Sequence, residues 1–243
     1  MEDLLIVINT CQGYFDNIKR LVAEISSVQI NKNNVLIVSG QEPEADTSCI
    51  DGVKVLKVSY TGLHHTGAIY ICEHIADFPQ YNYFLLLPDT IKLGPNFHAH
   101  LERYYAALGP RSHVPVMSLI NPRVRPSMDM CIASKPHLVQ MSDYLKRIKQ
   151  DDVSTPALVR LKRQLIFDEN MILGIGVKSR HATRFRPVIK EGELVSIVNT
   201  RKGLRQKRID GGKVQEVYII PLDLYKYQRN FKGPHTSLVL ELQ

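Results

Sequence analysis

The sequence predicts an α/β fold: a single domain with a mostly parallel central sheet and helices on both faces. Three observations predict it. Short runs of apolar, largely branched residues recur along the first half of the chain, as strands buried on both faces require. Segments with apolar residues at helical spacing alternate with those runs, and strand–helix alternation is the pattern of a parallel sheet. The chain has 243 residues, 44% of them hydrophobic and 23% charged, which suits one large globular domain better than two small ones.

The elements follow in order. Leu4–Asn9 (LLIVIN) reads as a strand buried on both faces. After a polar turn, Ile18, Leu21, Val22 and Ile25 have helical spacing within Phe15–Ile30. Asn34–Ser39 (NVLIVS) reads as a second buried strand ended by Gly40, and Val53–Val58 (VKVLKV) as a third, nearer an edge. A helix over Thr66–Ala76 leads to Tyr83–Leu87 (YFLLL), the most apolar strand, which stops at Pro88-Asp89-Thr90. Gly94-Pro95-Asn96 opens a further helix, since proline is tolerated in a first turn. Val114–Ile120 and Met128–Ala133 read as strands, Pro136–Lys149 and Pro156–Leu173 as helices, and Glu216–Ile220 as a short strand near a Tyr- and Lys-rich tail.

Composition narrows the function. No run approaches the ~18 apolar residues of a membrane span, and the acidic start MEDLLIVIN does not have the basic n-region of a secretory signal. Cys11, Cys49, Cys72 and Cys131 form no CxxC pair. They read as reduced thiols of a cytoplasmic protein rather than a zinc cage or a disulfide framework. Net charge is +7, and Lys178–Arg208 alone holds ten Lys and Arg against Glu191 and Glu193. One basic segment on a nearly neutral remainder implies a localised anionic ligand or a solvated loop.

In open parallel sheets ligands bind beyond the carboxyl ends of the strands. Those ends supply Thr10, Cys11, Gln12 and Tyr14, then Ser39 to Glu42, then Tyr60 to His65, then Asp89 and Thr90. No GxGxxG, GxxxxGK[ST] or GxSxG is present, which argues against a dinucleotide fold, a P-loop NTPase and a nucleophile elbow. Asp89 is the strongest feature. A carboxylate leaving a buried strand meets a hard cation or a ribose at the rim, or else caps the Pro-Asp turn.

With these residues in place, the chain resembles the GT-A glycosyltransferases, a Rossmann-like nucleotide-sugar-binding fold. Leu5–Asn9 with Thr10 and Gln12 match the family's opening strand and turn. His64-His65-Thr66-Gly67-Ala68 sits where its Gly-containing turn precedes a helix, and Leu85-Leu86-Leu87-Pro88-Asp89-Thr90 sits at its Asp-x-Asp motif. The second acid of that motif is missing, because Thr90 and Ile91 follow Asp89. The resemblance implies a core over residues 1–175 and a basic extension, lid and tail over 176–243 of the same domain. It implies donor binding by Thr10, Gln12, Tyr14, His65 and Asp89, with Asp89 also the ligand of a Mn²⁺ or Mg²⁺ ion. Asn199–Gly212 resembles a lid over the donor, in which Arg201, Lys202 and Arg205 would grip phosphate. Asp168 or Glu169 matches the position of the base that deprotonates the acceptor hydroxyl.

Three functions stand against one another. A glycosyltransferase would take a nucleotide-sugar donor and a glycan or other hydroxyl acceptor. A nucleotidyltransferase of related fold would open with a Gly-rich loop and a Lys, which Thr10-Cys11-Gln12-Gly13-Tyr14 does not provide. A non-catalytic nucleic-acid-binding protein would suit pI 9.2, but no aromatic-interleaved basic surface or helix-turn-helix pattern favours a nucleic-acid partner.

Overall fold

The computed structural model describes residues 1–108, 116–118, 130–151, 154–156, 158–160, 162–163, 204–208, 214–219 and 222–227. Its strands are β1 (Leu4–Cys11), β2 (Val35–Gly40), β3 (Asp46–Ile50), β4 (Val53–Lys57), β5 (Tyr83–Pro88), β6 (Ile91–Leu93), β7 (Val116–Ser118), β8 (Cys131–Ser134), β9 (Leu204–Arg208), β10 (Val214–Ile219) and β11 (Leu224–Tyr227). Its helices are α1 (Phe15–Ser27), α2 (Thr66–Glu73), α3 (Phe97–Leu108), α4 (Lys135–Gln140) and α5 (Ser142–Lys149).

Among the described residues the main sheet runs β3-β4-β2-β1-β5-β8-β7. β4, β2, β1 and β5 are parallel, whereas β3 pairs with β4, β8 with β5 and β7 with β8 in antiparallel fashion. The protein is therefore α/β with a mixed sheet, parallel at its centre. Strand side chains alternate between faces, and the core divides accordingly. Leu4, Ile6 and Ile8 pack with Ile18, Leu21, Val22 and Ile25 of α1 and with Phe97 and Leu101 of α3. Leu5 and Val7 pack on the opposite face with Ile69 and Ile71 of α2, Leu138 of α4, and Leu145 and Ile148 of α5. Each of these buried side chains contributes about 1.5–3 kcal/mol, so the two clusters fix which helix covers which face.

A second sheet runs β6-β11-β10-β9, all antiparallel. β6 begins two residues after Asp89, and Leu222 and Leu224 join the core beneath α1 and α3. The C-terminal strands thus attach to the segment that leaves β5.

Several elements differ from the sequence expectation. β3, which the sequence did not suggest, is mostly exposed and lacks an apolar face; it pairs outside β4, which lies near the edge as expected. The Pro136–Lys149 helix divides at Met141 into α4 and α5; the Met141 amide bonds both the His137 and Leu138 carbonyls, a tightened last turn. Of Pro156–Leu173, residues 158–160 and 162–163 are helical, Pro156 precedes the helix, and the rest lies outside the described residues. Among the described residues no helix is long and apolar enough to cross a membrane.

Candidate functional site

β1 lies between β2 and β5. From β1 the chain passes through α1 to β2 on one side, and from β4 it returns through α2 to β5 on the other. The order of strands therefore reverses between β1 and β5, and such a reversal opens a crevice outside the carboxyl ends of the strands. Thr10 and Asp89 stand on its two sides.

Register places them together. Thr10 is level with Ser39, and Ser39 with Lys57. Asn9 is level with Pro88, so the following residue, Asp89, is level with Thr10. The Thr10 hydroxyl donates to Asp89 Oδ2 at 2.8 Å, and the Asp89 amide donates to the Asn9 carbonyl at 2.9 Å. The Asp89 carboxylate is thus bonded across the sheet, and the residue is 9% exposed at the rim.

Asn9 points to the other face and joins three elements. Its Nδ2 donates to the Leu87 carbonyl at 3.2 Å, and its Oδ1 accepts from the Gly67 amide at 2.6 Å. The Gly67 amide belongs to the first turn of α2, which has no side-chain cap from His65, so a strand residue supplies the missing acceptor. Glycine is required there. A Cβ at position 67 would lie 2.5 Å from Val7 Cγ1 and 2.7 Å from Asn9 Oδ1.

The β1–α1 turn closes the rim next to Asp89. Gly13 sits at φ 90°, a left-handed conformation open to glycine. The Gln12 amide donates to the Gly40 carbonyl at 2.9 Å while Gln12 itself is exposed. Burial, and after it the Asp89 and Glu42 carboxylates, together push the Cys11 thiol up to about 11. Burial also raises Tyr14, with Cys11 and Asp89 adding to the shift. Ser39 donates to Glu42 Oε1 at 2.5 Å. Thr10, Cys11, Tyr14, Glu42 and Asp89 therefore share one electronegative corner.

The β4–α2 loop borders this corner. The Tyr60 carbonyl accepts the Gln41 amide at 2.9 Å. Burial raises the Tyr60 hydroxyl, and the neighbouring Glu73 carboxylate adds to the shift. Lys149 of α5 lies over the Tyr60 ring at 4.5 Å and pairs with Glu73 at 2.6 Å. His65, expected on the rim, is fully buried in front of α2, its ring 3.9 Å from that of His64.

Arg205 falls on β9, within the stretch expected to be a lid loop. Among the described residues β9 is the outer strand of the second sheet, three spacings from β6, about 14 Å at the usual ~4.8 Å between strands. Arg201, Lys202, Asp168 and Glu169 lie outside the described residues. Sequence reading did not single out Asn9, or Arg20 and Glu24 of α1, which hold the segment after Asp89; their i,i+4 spacing was the available signal.

Among the described residues no three His, Cys, Asp or Glu side chains gather as a metal cage. The corner instead offers hard oxygen from Asp89, with Glu42 nearby. A Mg²⁺-type ion held by one or two carboxylates takes its other ligands from phosphate and water. A groove of about 380 Å³ lies elsewhere, between α2 and α5, lined by Ile69, Cys72, Glu73, Ser142, Leu145 and Lys146; none of the strand-end residues lines it.

Comparison of the chain with family models and with curated proteins returned no match.

Proposed function

We propose that this protein is a glycosyltransferase that moves a sugar from a nucleoside-diphosphate sugar to an acceptor hydroxyl. The observation that carries the reading is the Asp89 carboxylate, held by Thr10 across the crevice where the strand order reverses. Both sides of the crevice supply hard oxygen, and ribose hydroxyls or a cation-bound diphosphate are the ligands such oxygen holds. The nucleoside would lie against the turn Thr10–Tyr14 and the segment Ser39–Glu42.

In this mechanism the fixed Thr10–Asp89 pair orients the donor, so little rearrangement accompanies reaction. A Mg²⁺ or Mn²⁺ ion bound with the donor would be held by Asp89 and would supply charge neutralisation of the diphosphate. Arg201 and Lys202 are the proposed partners of the phosphates, and Asp168 or Glu169 the proposed acceptor of the hydroxyl proton.

A thermal-shift screen of UDP, GDP and their sugars, with and without Mn²⁺, tests the reading. A ligand at one hundred times its Kd stabilises the native state by about 2.7 kcal/mol, roughly 5–10 °C for a domain of this size. The expected result is such a shift with one base, lost in Asp89→Ala. No shift with any of them would contradict the proposal.

A further inference from the structure

We infer that Arg20 and Glu24 of α1 form a positioning clamp that sets Asp89 for diphosphate binding, an inference resting on Asp89 as the donor anchor. After Pro88 the chain leaves the main sheet and enters the second one through β6. A segment changing sheets loses ladder partners on one side, and its backbone groups need other ones. One side-chain pair provides them. Arg20 Nη2 donates to the Ile91 carbonyl at 2.7 Å and to the Asp89 carbonyl at 3.3 Å. Arg20 Nη1 donates to Glu24 Oε1 at 2.5 Å, and Glu24 Oε2 accepts the Leu93 amide at 2.9 Å. Residues 89, 91 and 93 are therefore pinned in succession by one ion pair.

Asp89 is thus held at three points by two elements. Asn9 takes its amide, Thr10 bonds its carboxylate, and Arg20 bonds its carbonyl. The first two belong to β1, and Arg20 adds a contact to α1. The Arg20 and Glu24 side chains are 19% and 17% exposed, so water competes weakly for the pair. A planar guanidinium reaches the two carbonyls and the carboxylate together, whereas an ammonium is a point charge without that fork. The backbone of Asp89 aims its carboxylate, so slack in this clamp moves the anchor without removing it.

The test compares the full chain with Arg20→Lys, with the double variant Arg20→Met/Glu24→Gln, and with Asp89→Ala. The double variant avoids leaving one charge unpaired. Titration calorimetry with UDP and with GDP, each with Mn²⁺, gives Kd, and urea unfolding gives stability. The clamp predicts at least a tenfold weaker Kd in the double variant at a temperature where all of it is folded, partial recovery in Arg20→Lys, and faster hydrogen exchange at the Leu93 amide. A purely structural pair would lower stability and leave Kd alone. A double-variant Kd within twofold of wild type, with binding lost in Asp89→Ala, overturns the clamp and leaves the anchor standing. Binding that survives Asp89→Ala, or no binding by wild type, overturns the anchor and the clamp with it. Should the double variant not fold, Arg20→Lys decides: a Kd weakened threefold or more at unchanged melting temperature supports the clamp, and an unchanged Kd overturns it.

Discussion

Replacement of Asn9 by alanine perturbs the junction on which the site rests. The side chain is 3% exposed and makes two buried hydrogen bonds, to the Leu87 carbonyl and from the Gly67 amide. Its removal leaves the Gly67 amide, a first-turn donor of α2, without an acceptor, which costs about 1–2 kcal/mol by analogy with a lost helix cap. The Leu87 carbonyl loses a donor, and the truncated side chain leaves a small void, together about 1–2 kcal/mol more. Asn9→Ala should therefore cost about 2–4 kcal/mol. At roughly 2–4 °C per kcal/mol for a domain of this size, the melting temperature should fall by about 4–16 °C. Asn9→Asp is the informative partner. It keeps an acceptor and puts a negative charge at the helix start, which is favourable, but it cannot donate to Leu87. It should lose less than Asn9→Ala near neutral pH. Urea unfolding followed by circular dichroism measures both. An Asn9→Ala variant within 0.5 kcal/mol of wild type would refute the claim that one amide ties β1, β5 and α2.

Two further predictions concern titration. The Cys11 thiol, pushed up to about 11 by burial and then by Asp89 and Glu42, should resist iodoacetamide at pH 7.5 while exposed Cys49 reacts; in Asp89→Asn its alkylation should begin at lower pH, because one repelling charge is gone, and an unchanged pH profile would place Asp89 away from Cys11. Burial pushes Asp3 up, but hydrogen bonds from Tyr105, at 2.7 Å, and from Asn82 outweigh it and hold the carboxyl below its ordinary value. A depressed acid contributes stability in full above its unfolded value of about 3.9, and the contribution fades as pH falls through the lower folded value. Urea unfolding between about pH 6 and pH 2 should therefore show an acid-side loss that is reduced in Asp3→Asn; equal slopes would contradict the assignment.

The buried centre of the fold was legible because β1, β2 and β5 are closed off on both faces, which forces continuous apolar runs such as Leu4–Ile8 and Phe84–Leu87. Their order also placed Thr10 and Asp89 among the strand-end residues of one rim. β3 was not legible from hydrophobicity, since an edge strand reading Asp46-Thr47-Ser48-Cys49-Ile50 buries little. Its signal lay in the turn: Asp51-Gly52, at φ 47° and 83°, is the two-residue hairpin pair that positive φ selects. β6 and β11 escaped for a different reason. Leu93 pairs with Leu224, and a three-residue strand whose partner lies that far along the chain leaves no local pattern. His65 shows the limit of strand-end reasoning, because a loop that follows a strand can still turn its side chain inward.

The crevice between β1 and β5 is proposed to take a nucleoside diphosphate through Asp89. The most direct measurement is a crystal structure with the nucleotide sugar that gives the largest thermal shift, soaked with Mn²⁺. The expected result is ligand density over the Thr10–Asp89 pair, with a ribose hydroxyl or a cation-bound phosphate at the Asp89 carboxylate. Ligand seated in the groove between α2 and α5, or a crevice that stays empty at saturating concentration, would contradict it.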